Sequence, residues 1–183
     1  MKVNILTKNP GKQLAAEEAF KKYGIAVNFI EKDFPEIQAD SSLEIAAFTA
    51  KMAAKELNMP VVREDHSLFL DALGIPGPYT SFIEKKLDCK KLIKILENSS
   101  SWNGHFEVAT VYAFPNGKTK SWIFRVPITI SKKPKGELSG GLNKVIMLKG
   151  EKRTIAEYPE KERINVWNKN FEKIAKELKS GKL

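Results

Sequence analysis

Cysteine is nearly absent from this sequence. Cys89 stands alone among 183 residues, which excludes an internal disulfide framework and a thiolate zinc site. Histidine is almost as scarce: His66 and His105 fall in no H-E-x-x-H pattern and, with no cysteine cluster, make no zinc centre. His105, at the start of a strand-like run, reads as structural; Cys89, between Asp88 and Lys90 in a helical pattern, reads as a bystander. No apolar run approaches the ~18–20 residues of a membrane span. The opening Met1-Lys2-Val3-Asn4-Ile5-Leu6-Thr7 is broken by Asn4 and Lys8, too early for the apolar region of a signal peptide. A cytoplasmic protein with no membrane partner is therefore expected. Internal repeats, low-complexity tracts and the G-x-x-x-x-G-K-[ST] phosphate loop are absent as well.

What is present is an ordinary globular composition, 42% hydrophobic and 29% charged, which excludes disorder and collagen-like structure. The length fits one domain spanning 1–183, large enough to bury roughly 68–70% of its unfolded surface without a staple. Charge is the skewed quantity, with 31 basic residues against 22 acidic ones and a net +9. Such an excess favours anionic partners, nucleic acid or nucleoside phosphates, by long-range attraction. Basic residues also alternate with acids along the whole chain, so a solvated surface accounts for the same number.

Periodicity predicts strand, loop, helix, strand over the first thirty residues: Val3, Ile5 and Leu6, a break at Lys8-Asn9-Pro10-Gly11, a helix to Gly24, then Ile25, Val27, Phe29 and Ile30. Asp40-Ser41-Ser42 starts a second helix that stops before Pro60. Val61-Val62 opens a brief strand leading through Arg63 into Glu64-Asp65, and residues 73–79 read as a loop. One or two helices follow to Asn98. From Phe106 the period becomes two, with a hairpin turn at Pro115-Asn116-Gly117-Lys118. Val145 to Leu148 reads as a further strand, and Ile164, Trp167, Phe171, Ile174 and Leu178 as one C-terminal helix. The sum is an α/β domain with a mixed sheet.

Two places carry chemistry. The loop Thr7-Lys8-Asn9-Pro10-Gly11-Lys12 offers backbone N–H groups and two lysines at a helix N-terminus, where phosphate is attracted by unpaired donors and the helix dipole; a plain β–α turn has the same composition. Glu64-Asp65 follows a buried strand, and with Glu36 it supplies carboxylates of the kind that hold Mg²⁺, which needs only one or two beside water and phosphate oxygens. Surface acids at loop ends are the competing account. His66 gains interest only from its neighbour Asp65.

The residues then resemble a known family. Thr7-Lys8-Asn9-Pro10-Gly11-Lys12 is similar to the T-G-N-x-x-K loop of the inosine triphosphate pyrophosphatase family. Phe34-Pro35-Glu36-Ile37-Gln38 resembles its L-P-E-Y/I-Q segment. Glu64-Asp65-His66-Ser67-Leu68 with Asp71 to Tyr79 resembles its [ED]-D-[ST]-G-L…A-L-x-G-x-P-G-x-Y block, and Thr154-Ile155-Ala156-Glu157 its T-[FY]-A-E motif. The resemblance covers essentially the whole chain. It implies an elongated mixed sheet flanked by helices, in two lobes with a central cleft, and a homodimer. It further implies attack of water on the α-phosphate of a nucleoside triphosphate, giving monophosphate and pyrophosphate with Mg²⁺ on Glu36 and Asp65. Asp65 is the catalytic acid–base residue in that scheme, and Thr7, Lys8, Asn9 and Lys12 hold phosphate.

The pattern departs from the family in the second half. The F-G-[WY]-D element aligns with Gly140-Gly141-Leu142-Asn143, and the base-recognising S-H-R triplet with Trp167-Asn168-Lys169. An upstream lysine appears as Arg163, a helix lysine falls at Thr49, and His66-Ser67 replaces [ST]-G. His66, Asn143, Arg163, Asn168 and Lys169 are thus the candidate substrate-binding residues by alignment, and weakened selectivity for 6-keto purines is expected. A catalytically inactive homologue binding a nucleotide or another anion is the alternative; a nucleic-acid-binding protein is suggested by charge alone.

Overall fold

Alternation decides the first strand. A computed structural model describes all 183 residues, and in it Val3, Ile5 and Leu6 lie on β1 (Lys2–Leu6), paired in parallel with β2 (Ala26–Ile30). Between them runs α1 (Pro10–Lys21), which begins earlier than its apolar residues suggest because Asn9 caps it and Pro10 occupies the first turn. Ser41 caps α2 (Ser42–Leu57), its hydroxyl accepting the Glu44 N–H at 3.2 Å. Asn58, in the left-handed region at φ 48°, ends that helix two residues before Pro60.

Then come β3 (Val61–Leu70), β4 (Pro76–Gly77), α3 (Thr80–Glu84) and α4 (Cys89–Glu97), followed by the hairpin β5 (Asn103–Ala113) and β6 (Thr119–Ile130). β7 (Ile146–Leu148), flanked by 3₁₀ turns at Gly141–Lys144 and Ile155–Glu157, precedes α5 (Glu160–Trp167) and α6 (Lys169–Lys179). The strand order is β2-β1-β3-β5-β6-β7, with β4 paired to β3. β1 runs parallel to β3, while β4 and β7 run antiparallel to their partners, so the sheet is mixed as expected. No helix is long and apolar enough to cross a membrane.

Three sequence expectations need correction. The strand opened by Val61-Val62 is not brief: β3 has ten residues, and the acidic pair lies inside it rather than after it. Charged residues at 63–65 make the run look interrupted, but ladder pairing and the partners described below carry it on. Residues 73–79 are not wholly loop, since Pro76–Gly77 pairs with Leu68 and Phe69. The C-terminal helix is two helices, with buried Asn168 between them.

The chain forms two compact units. The first, Met1–Asp65, Val108–Phe124 and Ile164–Leu183, is a three-layer sandwich. Val3, Ile5 and Val62 pack against Ala16, Phe20, Phe171 and Ile174 of α1 and α6, where the rings of Phe20 and Phe171 lie 6.1 Å apart. Leu6, Ile30 and Val61 face the small residues Ala46, Ala50, Ala53 and Ala54 of α2. Side chains alternate along a strand. Arg63 and Asp65 therefore follow Val61 onto the α2 face of β3, and Glu64 follows Val62 onto the other.

The second unit comprises His66–Glu107 and Arg125–Arg163. Its buried residues include Leu68 and Leu70 of β3, Leu92 and Leu96 of α4, and Leu142, Ile146 and Ile155 from the short elements. Gly136, at φ 81°, lets the chain pass so close to the Ile155–Glu157 turn that a Cβ there would lie 2.4 Å from the Ala156 carbonyl carbon.

Candidate active site

The loop after β1 is organised by its own side chains. Thr7 is buried, and its hydroxyl accepts the Asn9 N–H at 3.1 Å. Asn9 Oδ1 in turn accepts the Lys12 N–H at 3.1 Å, capping α1. Lys8 is exposed and its ammonium contacts Asp33 Oδ1 at 2.5 Å. Lys12 turns inward instead, donating from Nζ to the Glu64 carbonyl at 2.8 Å. Burial pushes its pKa below the usual lysine range; Glu64 and Asp65 pull it back up, Arg63 lowers it further and Glu36 raises it. One desolvated ammonium therefore senses three carboxylates and a guanidinium together.

Those groups reach the spot by different routes. Glu36 comes from segment 31–39, which has neither helix nor strand, and its Oε1 accepts from Arg63 Nη2. Arg63 also donates from Nη1 to the Leu6 carbonyl at 3.2 Å. Asp65, half-buried, lies two residues along β3 from Arg63 on the same face. Glu64, only 3% exposed, is no surface acid. Its Oε2 accepts the Thr110 hydroxyl at 2.9 Å, and Thr110 Oγ1 accepts Asn170 Nδ2 at 3.0 Å. Asn170 also donates to the carbonyls of Val108 and Trp122.

The other candidates lie as follows. His66 is half-buried on β3 beyond Asp65. Asn143 sits in the Gly141–Lys144 turn, where Leu142 is buried and its N–H donates to Glu84 Oε1 at 3.1 Å. Arg163 is half-buried on α5 with Nε buried and lacking a hydrogen-bond partner. Asn168, 2% exposed, donates to Glu172 Oε1 at 3.3 Å, while Lys169 is exposed with its ammonium 5.5 Å from the centre of the Phe124 ring. Thr49 is buried on α2, its hydroxyl donating to the Pro35 carbonyl. Thr154 and Glu157 form a capping box, with the Thr154 N–H on Glu157 Oε2 at 2.7 Å. His105 stacks on Phe69, rings 5.2 Å apart, and Cys89 Sγ donates to the Gly141 carbonyl.

A family model described as the Ham1 family matches residues 3–177. The chain belongs to the Ham1 family. It is 34% identical to a dITP/XTP pyrophosphatase of Methanopyrus kandleri, across 98% of this chain and 97% of that protein. It is 33% identical to a dITP/XTP pyrophosphatase of Saccharolobus solfataricus, across 98% and 95% respectively. Among solved structures, the Staphylococcus aureus Ham1 protein superposes with a TM-score of 0.81 at 22% identity, covering 99% of this chain and all 100% of that one. That likeness shows the fold.

Three polar residues of this Ham1 chain escape sequence reasoning: Arg63, Thr110 and Asn170. Arg63 does leave a signal, a charge between Val62 and Glu64 in a run that otherwise reads as buried strand. Thr110 and Asn170 leave none, because alternation places a threonine on a face without saying what it meets. No three His, Cys, Asp or Glu side chains gather as a metal cluster. The oxygen donors of Glu36 and Asp65 nevertheless fit Mg²⁺, a hard ion that takes one or two carboxylates and completes its shell with water and phosphate.

Proposed function

We propose that the protein hydrolyses inosine and xanthosine triphosphates and their deoxy forms to the monophosphate and pyrophosphate. The observation that carries this reading is the desolvated Lys12 ammonium, held at 2.8 Å from the Glu64 carbonyl beside Asp65 and Glu36. A half-buried, desolvated cation among carboxylates at the start of α1 suits a triphosphate and its counter-ion. The names of the relatives support the substrate class.

In this reading Lys12 binds a phosphate oxygen as a point charge, and the positive end of the α1 dipole adds to the attraction. Thr7 and Asn9 hold the loop in shape through their mutual contacts, with Lys8 at its exposed edge. Asp65 takes a proton from the water that attacks the α-phosphorus, as the bond to the bridging oxygen breaks and pyrophosphate leaves. A divalent cation on Glu36 and Asp65, Mg²⁺ in this scheme, supplies charge neutralisation for the triphosphate. His66, Asn143, Arg163, Asn168 and Lys169 are the base-end candidates. Burial of Asn168 and Leu142 supports relaxed discrimination between bases. The reading also takes residues 1–183 as one catalytic domain, acting as a cytoplasmic homodimer.

Product analysis with Mg²⁺ and a panel of purine and pyrimidine triphosphates tests this. Release of monophosphate and pyrophosphate is expected, with Asp65→Asn slower by about 10²–10⁴-fold, the range for losing a general base, at an unchanged melting temperature. Rates on inosine and adenosine triphosphates are expected to be comparable; a preference of about 100-fold for inosine, the discrimination an intact polar pocket can exceed, would refute the relaxed-selectivity part. Absence of turnover on every substrate would leave the binding homologue.

A further inference from the structure

Arg63 has no assigned part in the scheme above, yet its placement is costly. Its side chain is 17% exposed, and Nε is buried with no hydrogen-bond partner. Withdrawing a guanidinium from water with one donor unpaired opposes folding, so packing alone does not account for it. What Arg63 does is hold two things. Nη1 binds the Leu6 carbonyl on the neighbouring strand, and Nη2 binds Glu36 Oε1.

Glu36 needs such a partner. Its side chain is 55% exposed on a segment without helix or strand, and a free glutamate there loses rotamer entropy on ordering. Arg63 stands on a strand fixed on both sides, two residues and roughly 6.6 Å from Asp65 along the same face. The contact occupies Oε1 and leaves the lone pairs of Oε2 for another cation. Lys12 Nζ, bonded to the Glu64 carbonyl between Arg63 and Asp65 on β3, is the charge on which both carboxylates and the guanidinium act.

We infer that Arg63 is a positioning residue for the cation site: it carries the Glu36 carboxylate to the β3 face that bears Asp65, so that the two act as one divalent-ion site. This rests on the proposed metal reading. Groups that hydrogen-bond a metal's ligands typically contribute 10–100-fold in affinity.

The test is Mn²⁺ binding, followed by electron paramagnetic resonance without nucleotide, in wild type, Arg63→Met, Arg63→Lys and Glu36→Gln, with melting temperatures recorded. Arg63→Met is expected to bind Mn²⁺ about 10–100-fold more weakly. Arg63→Lys recovers part of that loss, because it keeps the charge and loses the fork. Combining Arg63→Met with Glu36→Gln adds less than the sum of the single losses, since both act through one carboxylate. If Arg63→Met does not fold, the Arg63→Lys and Glu36→Gln pair carries the same comparison. Equal or tighter Mn²⁺ binding by Arg63→Met would overturn the inference, showing Arg63 to be only a competitor for Glu36. Unchanged Mn²⁺ affinity with weakened pyrophosphate binding would also overturn it, in favour of direct phosphate contact. A wild-type protein that binds no Mn²⁺ refutes it outright, whatever the turnover. Arg63-dependent Mn²⁺ binding without turnover of any triphosphate would instead refute the pyrophosphatase reading and leave this inference standing.

Discussion

Two regions that match family motifs use their polar groups in opposite ways. In the first unit, Lys12, Glu36, Arg63 and Asp65 act on one another, and Lys12 holds its charge in a desolvated place. In the second, Thr154 and Glu157 satisfy each other's backbone, and the Leu142 N–H is taken up by Glu84. Thr154 to Glu157 resembles its family motif as the first-unit stretches do, while Gly140 to Asn143 only aligns with one. Their hydrogen-bond accounts differ. Where donors and acceptors are spent on the chain itself, the motif builds shape. Where charges remain packed against each other, folding is opposed, and the proposed reading gives those charges a ligand to meet. Substitutions in the first region should therefore change binding and turnover, and those in the second should change stability.

Lys12 offers the largest contrast. Lys12→Met removes a charge-assisted contact of about 1.5–3 kcal/mol, so pyrophosphate affinity measured by calorimetry should fall roughly 10–100-fold. The pH profile sharpens the point. Because burial lowers the Lys12 pKa, its positive charge is present below that lowered value and is lost as pH rises through it. Pyrophosphate binding should thus weaken at a pH below the usual lysine range. Lys12→Arg, which stays charged, should remove that alkaline limb. An alkaline limb identical in Lys12→Arg and wild type would assign the titration elsewhere.

Thr110 comes next, because it joins the two kinds of use. It belongs to the first unit, but its hydroxyl serves the buried Glu64 carboxylate and receives Asn170. Thr110→Val keeps shape and strand propensity while depriving a buried carboxylate of a donor, which costs about 1–3 kcal/mol. Denaturant unfolding should register that loss, and Thr110→Ser should restore most of it. Equal stability of the Val and Ser variants would mean that the hydroxyl is dispensable and that Glu64 is satisfied by other groups.

Much of this was legible in the sequence. Alternation and capping chemistry placed β1, α1, β2, α2 and the hairpin, since short-range rules govern periodicity and helix ends. The ten-residue length of β3 was not legible. Arg63, Glu64 and Asp65 look like the end of a strand until Glu36, Thr110 and the neighbouring carbonyl are present to receive them. The break between α5 and α6 was hidden for a similar reason. Ile164, Trp167, Phe171 and Ile174 keep helical spacing across it, and the backbone bonds from Asn168 N–H to the Ile164 carbonyl and from Glu172 N–H to the Asn168 carbonyl preserve that spacing. At the candidate site, residue types and the family resemblance nominate Lys12, Glu36 and Asp65, while the burial of Leu142 and Asn168 depends on contacts no spacing rule encodes.

The smallest expected effect tests the shape-building region. Thr154 is fully buried, its hydroxyl donates to the Lys135 carbonyl at 2.9 Å, and it closes a capping box with Glu157. Thr154→Ala should cost about 1 kcal/mol, the typical loss for a helix-start cap. Glu157 adds a pH signature. The Thr154 N–H, followed by the Thr154 hydroxyl, holds its carboxyl below the ordinary value. A carboxylate with a depressed folded-state pKa contributes stability that is present above its unfolded pKa and is lost as pH falls through the folded one. Glu157→Gln should accordingly narrow the stability gap between neutral solution and solution more acidic than the ordinary glutamate pKa, read from melting temperatures across that range. A large loss of pyrophosphate affinity in Thr154→Ala at unchanged melting temperature would break the contrast, because it would place this capping box among the groups that meet the ligand.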